Sequence, residues 1–367
     1  MPLLMSPAAT MKLKGSATAR NRQRVASPDP TRASGRGRTA EKPSDIPAHG
    51  WWDIVWRLIK RVGNDNVTLV AGGVAMYVLL SVFPGLAALV SLYGLFASPA
   101  EIMQHMQDFA GVLPPGAWDI FNSQLQQLVH HGPSTLTATA VLGTLLSLWS
   151  ARSAMSALIT ATNIAYGERE KRSFIAQATL SLAFTLAALV GFLLTILLGI
   201  AIPVALKVLG TSTVVKIAAG VLRFALLWCV AALGLAVIYR YAPAREHAQW
   251  RWVTWGSAIA ATLWLVASAL FGFYVQTFGN YGKAYGALGG VIALVMWFYI
   301  SSLIVVLGAE ANAEMERQTF RDTTVKEGAP LGERGAYAAD TVGPSAQEGE
   351  GQRAREPARG KSKLAGS

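Results

Sequence analysis

Six long apolar stretches dominate the chain, each bounded by charged or turn-forming residues. They fall at about 67–97, 136–161, 174–202, 214–240, 252–278 and 288–310. Each exceeds the roughly 20 residues that the hydrocarbon core of a bilayer requires of a helix. The pattern predicts an all-α, polytopic membrane protein with six transmembrane helices. Two other regions have helical periodicity on one face only. In WWDIVWRLIKRVG, Trp52, Val55, Trp56, Ile59 and Val62 share one side, and Asp53, Arg57, Lys60 and Arg61 share the other. That spacing predicts an amphipathic helix over 49–66 lying in the interface. Residues 98–135 hold two shorter amphipathic segments, one with Ile102, Met106 and Phe109, the other with Trp118, Phe121, Leu125 and Leu128. Pro114-Pro115-Gly116 separates them, which predicts a helical hairpin outside the spans. Residues 1–48 and 316–367 are rich in charged and turn-forming residues without periodicity, so both are expected to be disordered tails.

Charge orients this arrangement. Only 14% of the 367 residues are charged, against roughly a quarter in soluble domains. Residues 1–66 hold twelve Lys/Arg and five Asp/Glu, whereas residues 67–309 hold eleven and six. The loop at 98–135 has no Lys or Arg, and those at 203–213 and 279–287 have one each, Lys207 and Lys283. The intervening loops carry Arg169, Lys171 and Arg172, and Arg245 and Arg251. Basic residues thus favour every second side, which places both termini in the cytoplasm. A basic balance confined to tails and short loops fits topology and anionic lipid, not nucleic acid.

Several chemistries drop out. MPLLM is too short for the apolar region of a signal peptide, and Met11 would serve equally as a start. The single cysteine, Cys229, excludes a disulfide framework within one chain. His130 and His131 are adjacent, so they do not face each other on a helix, and no third ligand is near. Neither the dinucleotide fingerprint nor the phosphate-loop pattern occurs. No cofactor and no metal are expected.

Two stretches are recognisable. FGNYGKAYGALGGVIALVMWFYISSLIVVLGAEANAE resembles the closing signature of the YihY/BrkB family of bacterial inner-membrane proteins. AGGVAMYVLLSVFPGLAALVSLYG resembles its opening signature, with Tyr77, Ser81 and Pro84 in place. The resemblance runs over about residues 50–315, weaker in the middle, and leaves out the tails. It implies six spanning helices in the bacterial inner membrane. It also implies that the family's early ribonuclease label is mistaken, with envelope maintenance, serum resistance and lipid-precursor export among the roles proposed.

Polar groups inside a bilayer are costly and mark candidate sites. Arg152 lies deep in the second span among Ser147, Ser150, Ser153, Ser156 and Thr160. Its planar fork suits phosphate or carboxylate. The alternative is a structural tie or a side chain snorkelling to the surface. A pairing of Arg152 with Glu310, at the end of the sixth span, would account for both charges. Arg223 in the fourth span has fewer polar neighbours, which favours a structural role. Pro84 sits near the middle of the first span, with Tyr77 and Ser81 in the two turns before it. It predicts a kinked helix, and such a kink offers backbone groups to a ligand in some transporters. Asn163 reads as a simple stop for the second span. In GNYGKAYGALGG, Gly282, Gly286 and Gly290 recur every four residues, a small-residue seam for helix packing. Asn280, Tyr281 and Tyr285 complete either that seam or a gate.

These features fit a transporter, exporter or flippase of an anionic lipid-like substrate. The substrate-binding candidates are Arg152, Tyr77, Ser81, Pro84 and Arg223. The rival is an envelope scaffold whose small-residue faces make a homo-oligomer. Membrane lipids are the expected partners in both. An enzyme, a ribonuclease included, is not expected, because no cluster of Asp, Glu or His supplies the metals that nuclease chemistry uses.

Overall fold

A computed structural model describes residues 35–93, 138–209, 213–278, 287–326 and 328–348. The described residues are helical, without a strand beyond one isolated bridge between Ala248 and Thr324. A short amphipathic helix, α1 (Ala48–Asn64), precedes six long ones: α2 (Val67–Tyr93), α3 (Ala138–Tyr166), α4 (Phe174–Leu209), α5 (Thr213–Tyr241), α6 (Trp250–Phe278) and α7 (Ala287–Glu316). A single turn, α8 (Tyr337–Asp340), follows. Four of the long helices are apolar and long enough to cross a membrane over Phe174–Thr195, Ile217–Tyr241, Trp250–Thr277 and Gly289–Glu316, or five if α1 and the start of α2 are one bent span. The hairpin expected at 98–135 and the mouth residues Asn280, Tyr281, Gly282, Tyr285 and Gly286 lie outside the described residues. Residues 203–209, expected in a loop, are the last turns of α4. Helices in apolar surroundings tolerate a proline such as Pro203 when neighbours satisfy the freed backbone groups.

Helix α2 packs on α3 and α7, α7 also on α6 and α3, α5 on α6 and α4, and α3 on α4. The described core gathers where the helices approach the loops 167–173 and 242–249. It is built largely from small residues: Ala161, Ala165, Ala236, Ala260, Ala309 and Ala313, with Val67, Val253 and Val306. Large apolar side chains such as Leu69, Phe192, Phe224 and Leu270 are exposed. This inverts the soluble pattern. A contiguous apolar exterior marks a membrane-facing surface, and small interfacial residues let backbones approach where lipid supplies no hydrophobic force between helices.

The closest approaches are at glycines outside the four-residue repeat. A Cβ on Gly308 would strike the Tyr239 hydroxyl and Ala260, and a Cβ on Gly256 would strike the Asn312 side chain. Both neighbours are held in place. Tyr239 donates from its hydroxyl to the Val305 carbonyl at 2.9 Å. Asn312 accepts from the Gly256 N–H at 3.1 Å and donates to the Val253 carbonyl at 3.4 Å. Gly290 was expected in a packing seam, but a Cβ there would meet no described atom within 4 Å. Of the described glycines of α7, the close approach is at Gly308, nearer the helix's other end.

The expected tails are also corrected. Residues 35–47, 317–326 and 328–348 are folded onto α1 and the ends of α6 and α7. Phe320 N–H donates to Arg38 O at 2.8 Å, Arg38 reaches Gly343 O at 2.8 Å, and the Ala346 N–H donates to Asp53 at 2.8 Å. Their polar composition hides this order, because charge-assisted bonds between remote segments supply it and local apolar periodicity does not.

Helix α1 turns its polar side inward. Asp53 and Arg57 are buried, while Trp52 is 65% and Ile59 69% exposed. Asn66, with φ of 49°, makes the turn into α2, a left-handed conformation that Asn tolerates. The two helices meet at a 65° bend.

Replacing Gly308 by Ala forces Tyr239 or Ala260 to move, an overpacking cost of about 1–3 kcal/mol. Gly290→Ala meets open space and gains helix propensity of up to about 1 kcal/mol. Thermal unfolding of the two variants in detergent should show a lowered midpoint for Gly308→Ala and no lowering for Gly290→Ala. Equal losses would place the close packing elsewhere.

Candidate functional site

Helical spacing builds one cavity between α2 and α3. Val70, Gly73, Val74 and Tyr77 form one stripe of α2, and Arg152, Ser153, Ser156, Ala157, Thr160, Ala161 and Ile164 form the facing stripe of α3. The cavity has a volume of about 440 Å³, within the range of small-molecule sites. Val70 and Val74 of α2 and Ala157, Ala161 and Ile164 of α3 give it aliphatic surface. The α3 stripe also carries hydroxyls already bonded to their own helix: Ser153 donates to Ser150 O at 2.7 Å and Thr160 to Ser156 O at 3.0 Å. Ser81 and Ser153 are joined at 2.9 Å, tying α2 to α3 at the cavity's edge.

Arg152 supplies the site's charge. Its guanidinium carbon sits 3.8 Å from the centre of the Trp149 ring, and one terminal nitrogen donates to the Ser181 hydroxyl at 3.4 Å. Its Nε is buried and has no hydrogen-bond partner among the described residues. A guanidinium has five donors in a fixed fork and is always charged. The stack and the single long bond leave part of that fork uncommitted.

Of the residues singled out from sequence, Arg152, Tyr77 and Ser81 come together here. Pro84 lies within α2, which stays helical from Val67 to Tyr93, and it does not line the cavity. Arg223 is exposed on α5, away from the cavity. The expected Arg152–Glu310 pair does not form. Glu310 instead lies 3.1 Å from Arg61 Nε, on the α1 side of α7. Asn163 is not a simple stop either. The helix continues to Tyr166 and ends at Gly167, whose φ of 68° is the usual left-handed terminus. Asn163 instead joins two loops: its amide donates to Glu170 at 3.0 Å, and its oxygen accepts from the Ala244 N–H at 2.7 Å.

A second constellation was not read from the sequence. Arg57 of α1 donates through Nε to Glu314 in a short ion pair, through one terminal nitrogen to the Glu314 carbonyl at 3.0 Å, and to Gln318 at 2.7 Å. Arg317 and Arg61 reach the same carboxylate at 2.5 and 3.3 Å. Nearby, Arg245 makes a two-pronged contact with Glu316 at 2.7 and 2.9 Å and stacks 4.1 Å from the Tyr166 ring centre. The signal was present. Arg57 and Arg61 are four apart on one helix, and Glu310 and Glu314 are four apart on another, so each pair shares a face. Basic residues before a first span suggest topology, which masked the complementarity.

In the loop after α3, Arg172 grips Glu170 at 2.8 Å from two nitrogens and reaches the Ala242 carbonyl at 2.6 Å. The Arg172 hydrogen bonds pull the Glu170 carboxyl from 4.5 down to about 2. Among the described residues, no group of three or more His, Cys, Asp or Glu is placed to hold a metal ion.

The sequence profile of the family described as "Virulence factor BrkB" matches residues 58–330. A ribonuclease-like protein, YfkH, of Bacillus subtilis is 32% identical over 253 residues, covering 66% of this chain and 88% of that protein. A UPF0761 membrane protein of Vibrio cholerae is 30% identical over 279 residues, covering 72% and 88%. Another of Vibrio campbellii is 30% identical over 275 residues, covering 72% and 83%. No solved structure matches the chain.

Glu314→Ala should leave Arg57, Arg61 and Arg317 facing a void, a loss of about 3–5 kcal/mol. Chemical denaturation in detergent reads this loss, and a change within error would show that the α1–α7 contact is dispensable. Glu170 predicts a pH dependence of defined sign. Its carboxyl is depressed in the folded state, so its contribution is full above the ordinary carboxylate range and fades as pH falls from 4.5 to about 2. The gap in thermal midpoint between wild type and Glu170→Gln should therefore be open near neutral pH and closed at the bottom of that window. A gap independent of pH would assign the loop's order to Asn163 alone.

Proposed function

The chain belongs to the virulence factor BrkB family of membrane proteins, and we propose that it binds an anionic, lipid-like amphiphile in the α2–α3 cavity and moves it across the bacterial inner membrane. The family is a membrane-protein family and not a known enzyme family. The ribonuclease-like wording is part of the Bacillus relative's name.

The topology proposed is six spans with both termini in the cytoplasm. Its support is six helices of 27 to 36 residues. At 1.5 Å per residue, even the shortest reaches roughly 40 Å, against a hydrocarbon core of roughly 30 Å. The alternating basic loops give the orientation. Helix α1 then lies along the cytoplasmic interface, with Trp52, Val55 and Ile59 towards acyl chains.

One observation carries the binding reading: Arg152, whose guanidinium makes one described hydrogen bond, to Ser181, lines a cavity that offers both aliphatic surface and hydroxyls. A phosphate or carboxylate headgroup satisfies the fork. The aliphatic stripe of Val70, Val74, Ala157, Ala161 and Ile164 suits a chain. Tyr77, half exposed at the cavity, and Ser156 are placed to bond a glycerol or sugar oxygen. A second reading, a non-transporting envelope scaffold, draws on one fact: the Ser181 bond already gives Arg152 a structural tie between α3 and α4.

Vesicles reconstituted with wild type, Arg152→Ala and Arg152→Lys separate the two. The transport reading expects faster transfer of a labelled anionic phospholipid than of a zwitterionic one by wild type. It expects at least a tenfold loss in Arg152→Ala, equivalent to about 1.4 kcal/mol, with helical content unchanged. It also expects a clear loss in Arg152→Lys, because lysine lacks the fork. No headgroup preference, or full activity in both variants, would remove Arg152 from the path and favour the scaffold.

A further inference from the structure

Glu310 is fully buried at 0% exposure, yet neither carboxylate oxygen has a hydrogen-bond partner among the described residues. The nearby donors are committed elsewhere. Arg61 gives its Nε hydrogen to Asp65 at 2.9 Å and a terminal nitrogen to Glu314 at 3.3 Å. Arg57 is spent on Glu314, Gln318 and Pro344. Arg317 serves Glu314 and Thr341. Of the described cations, the Arg61 charge faces Glu310 directly, 3.1 Å away. The other titratable neighbours are Asp65 from the α1–α2 turn, Glu314 one turn along α7, and Tyr166 of α3. The Tyr166 hydroxyl is itself buried without a partner among the described residues. The first turns of α2, Val67–Val74, carry no titratable side chain.

An ionised carboxylate removed from water needs donors, and a neutral acid does not. A proton also gives Glu310 an O–H of its own to donate. The path is short, since Asp65 is 26% exposed and shares Arg61 with Glu310. The charge balance is tight. Arg57, Arg61 and Arg317 offset Glu310, Glu314 and Asp65, three against three. Adding one proton leaves one positive charge in excess. Ala309 and Val306, on the adjoining turn of α7, belong to the same packed cluster as Val74 and Ala161 of the cavity's wall, so packing links the two places.

We propose that Glu310 is a proton-binding site, reached through Asp65, and that its neutralisation couples proton uptake to entry of an anion into the α2–α3 cavity. The step is Glu310 carboxylate plus one proton to Glu310 carboxylic acid, with no other bond made or broken. Protonation loosens the hold of α7 on Arg61 and favours an anionic headgroup next to the excess charge. The coupling half rests on the transport reading, and the proton site does not.

Infrared difference spectra of the full chain in membranes, stepped between about pH 5 and about pH 9 across the range of shifted carboxyls, test the site directly. The expected result is a carboxylic-acid carbonyl band that grows toward low pH, shifts in heavy water, persists in Arg152→Ala and is lost in Glu310→Gln. Absence of such a band from wild type, or its survival in Glu310→Gln, overturns the proposal. If Glu310→Gln does not fold, Glu310→Asp decides: a displaced midpoint supports the site, and an unmoved one overturns it. For the coupling, transfer of labelled anionic phospholipid is followed under an imposed pH gradient. A rate that responds in wild type and not in Glu310→Gln supports it, and a rate indifferent to the gradient overturns it. Should wild type move no lipid under any gradient, the transport reading and the coupling fall together while the infrared band still decides the proton site.

Discussion

A buried charge cannot lose its partner cheaply, and the contact of Arg57 with Glu314 imposes that condition on the structure. It joins the first described α-helix to the last long one, 257 residues apart in the chain. Once Arg57 is fixed against α7, the rest of α1 has one orientation. Asp53 must face inward, where Arg36 and the Ala346 N–H meet it. The apolar side must then face out. Segments flanking the helices acquire order by the same route, since Arg38, Gln318 and Gly343 bond to groups that the α1–α7 contact has already placed.

Away from that charged layer the bundle uses other means. Lipid removes the hydrophobic force that would press helices together in water. What remains is close approach and a few polar locks. Gly308 beneath the Tyr239 hydroxyl and Gly256 beneath Asn312 bring α7 against α5 and α6. Ala161, Ala165, Ala309 and Ala313 do the same between α3 and α7. The α2–α3 pair differs. Its facing stripes carry Tyr77 and Arg152 beside Gly73, Ala157 and Ala161 and line the cavity, and the Ser81–Ser153 bond ties the helices at its edge.

The charged layer and the cavity are thus spatially divided. Charges that are mutually satisfied sit where the loops and flanking segments gather. Arg152 lines the cavity, stacked on Trp149 and bonded to Ser181. Glu310 is buried beside Arg61 without hydrogen bonds among the described residues, next to Ala309 of the packed cluster that includes Val74 and Ala161.

Local pattern was enough for the all-helical class, because runs of twenty or more apolar residues have one way to satisfy their backbone in lipid. It was enough, too, for the helix starts at 67, 174 and 213–214 to within a residue. The grouping of Arg152, Tyr77 and Ser81 was also legible, because intramembrane polar groups are rare enough to be read singly. Everything else depends on contacts between remote segments. Glu310 lies on the face of α7 that meets α1, so it pairs with Arg61 and not with Arg152. Asn163 is a loop clamp because the Ala244 backbone, 81 residues on, arrives beside it. Residues 35–47 and the segment after α7 are ordered because their partners lie roughly 280 to 305 residues away. Periodicity reports only which residues share a face. Which face meets which is settled when non-local charges find each other, and that information is not carried by any local window of the chain.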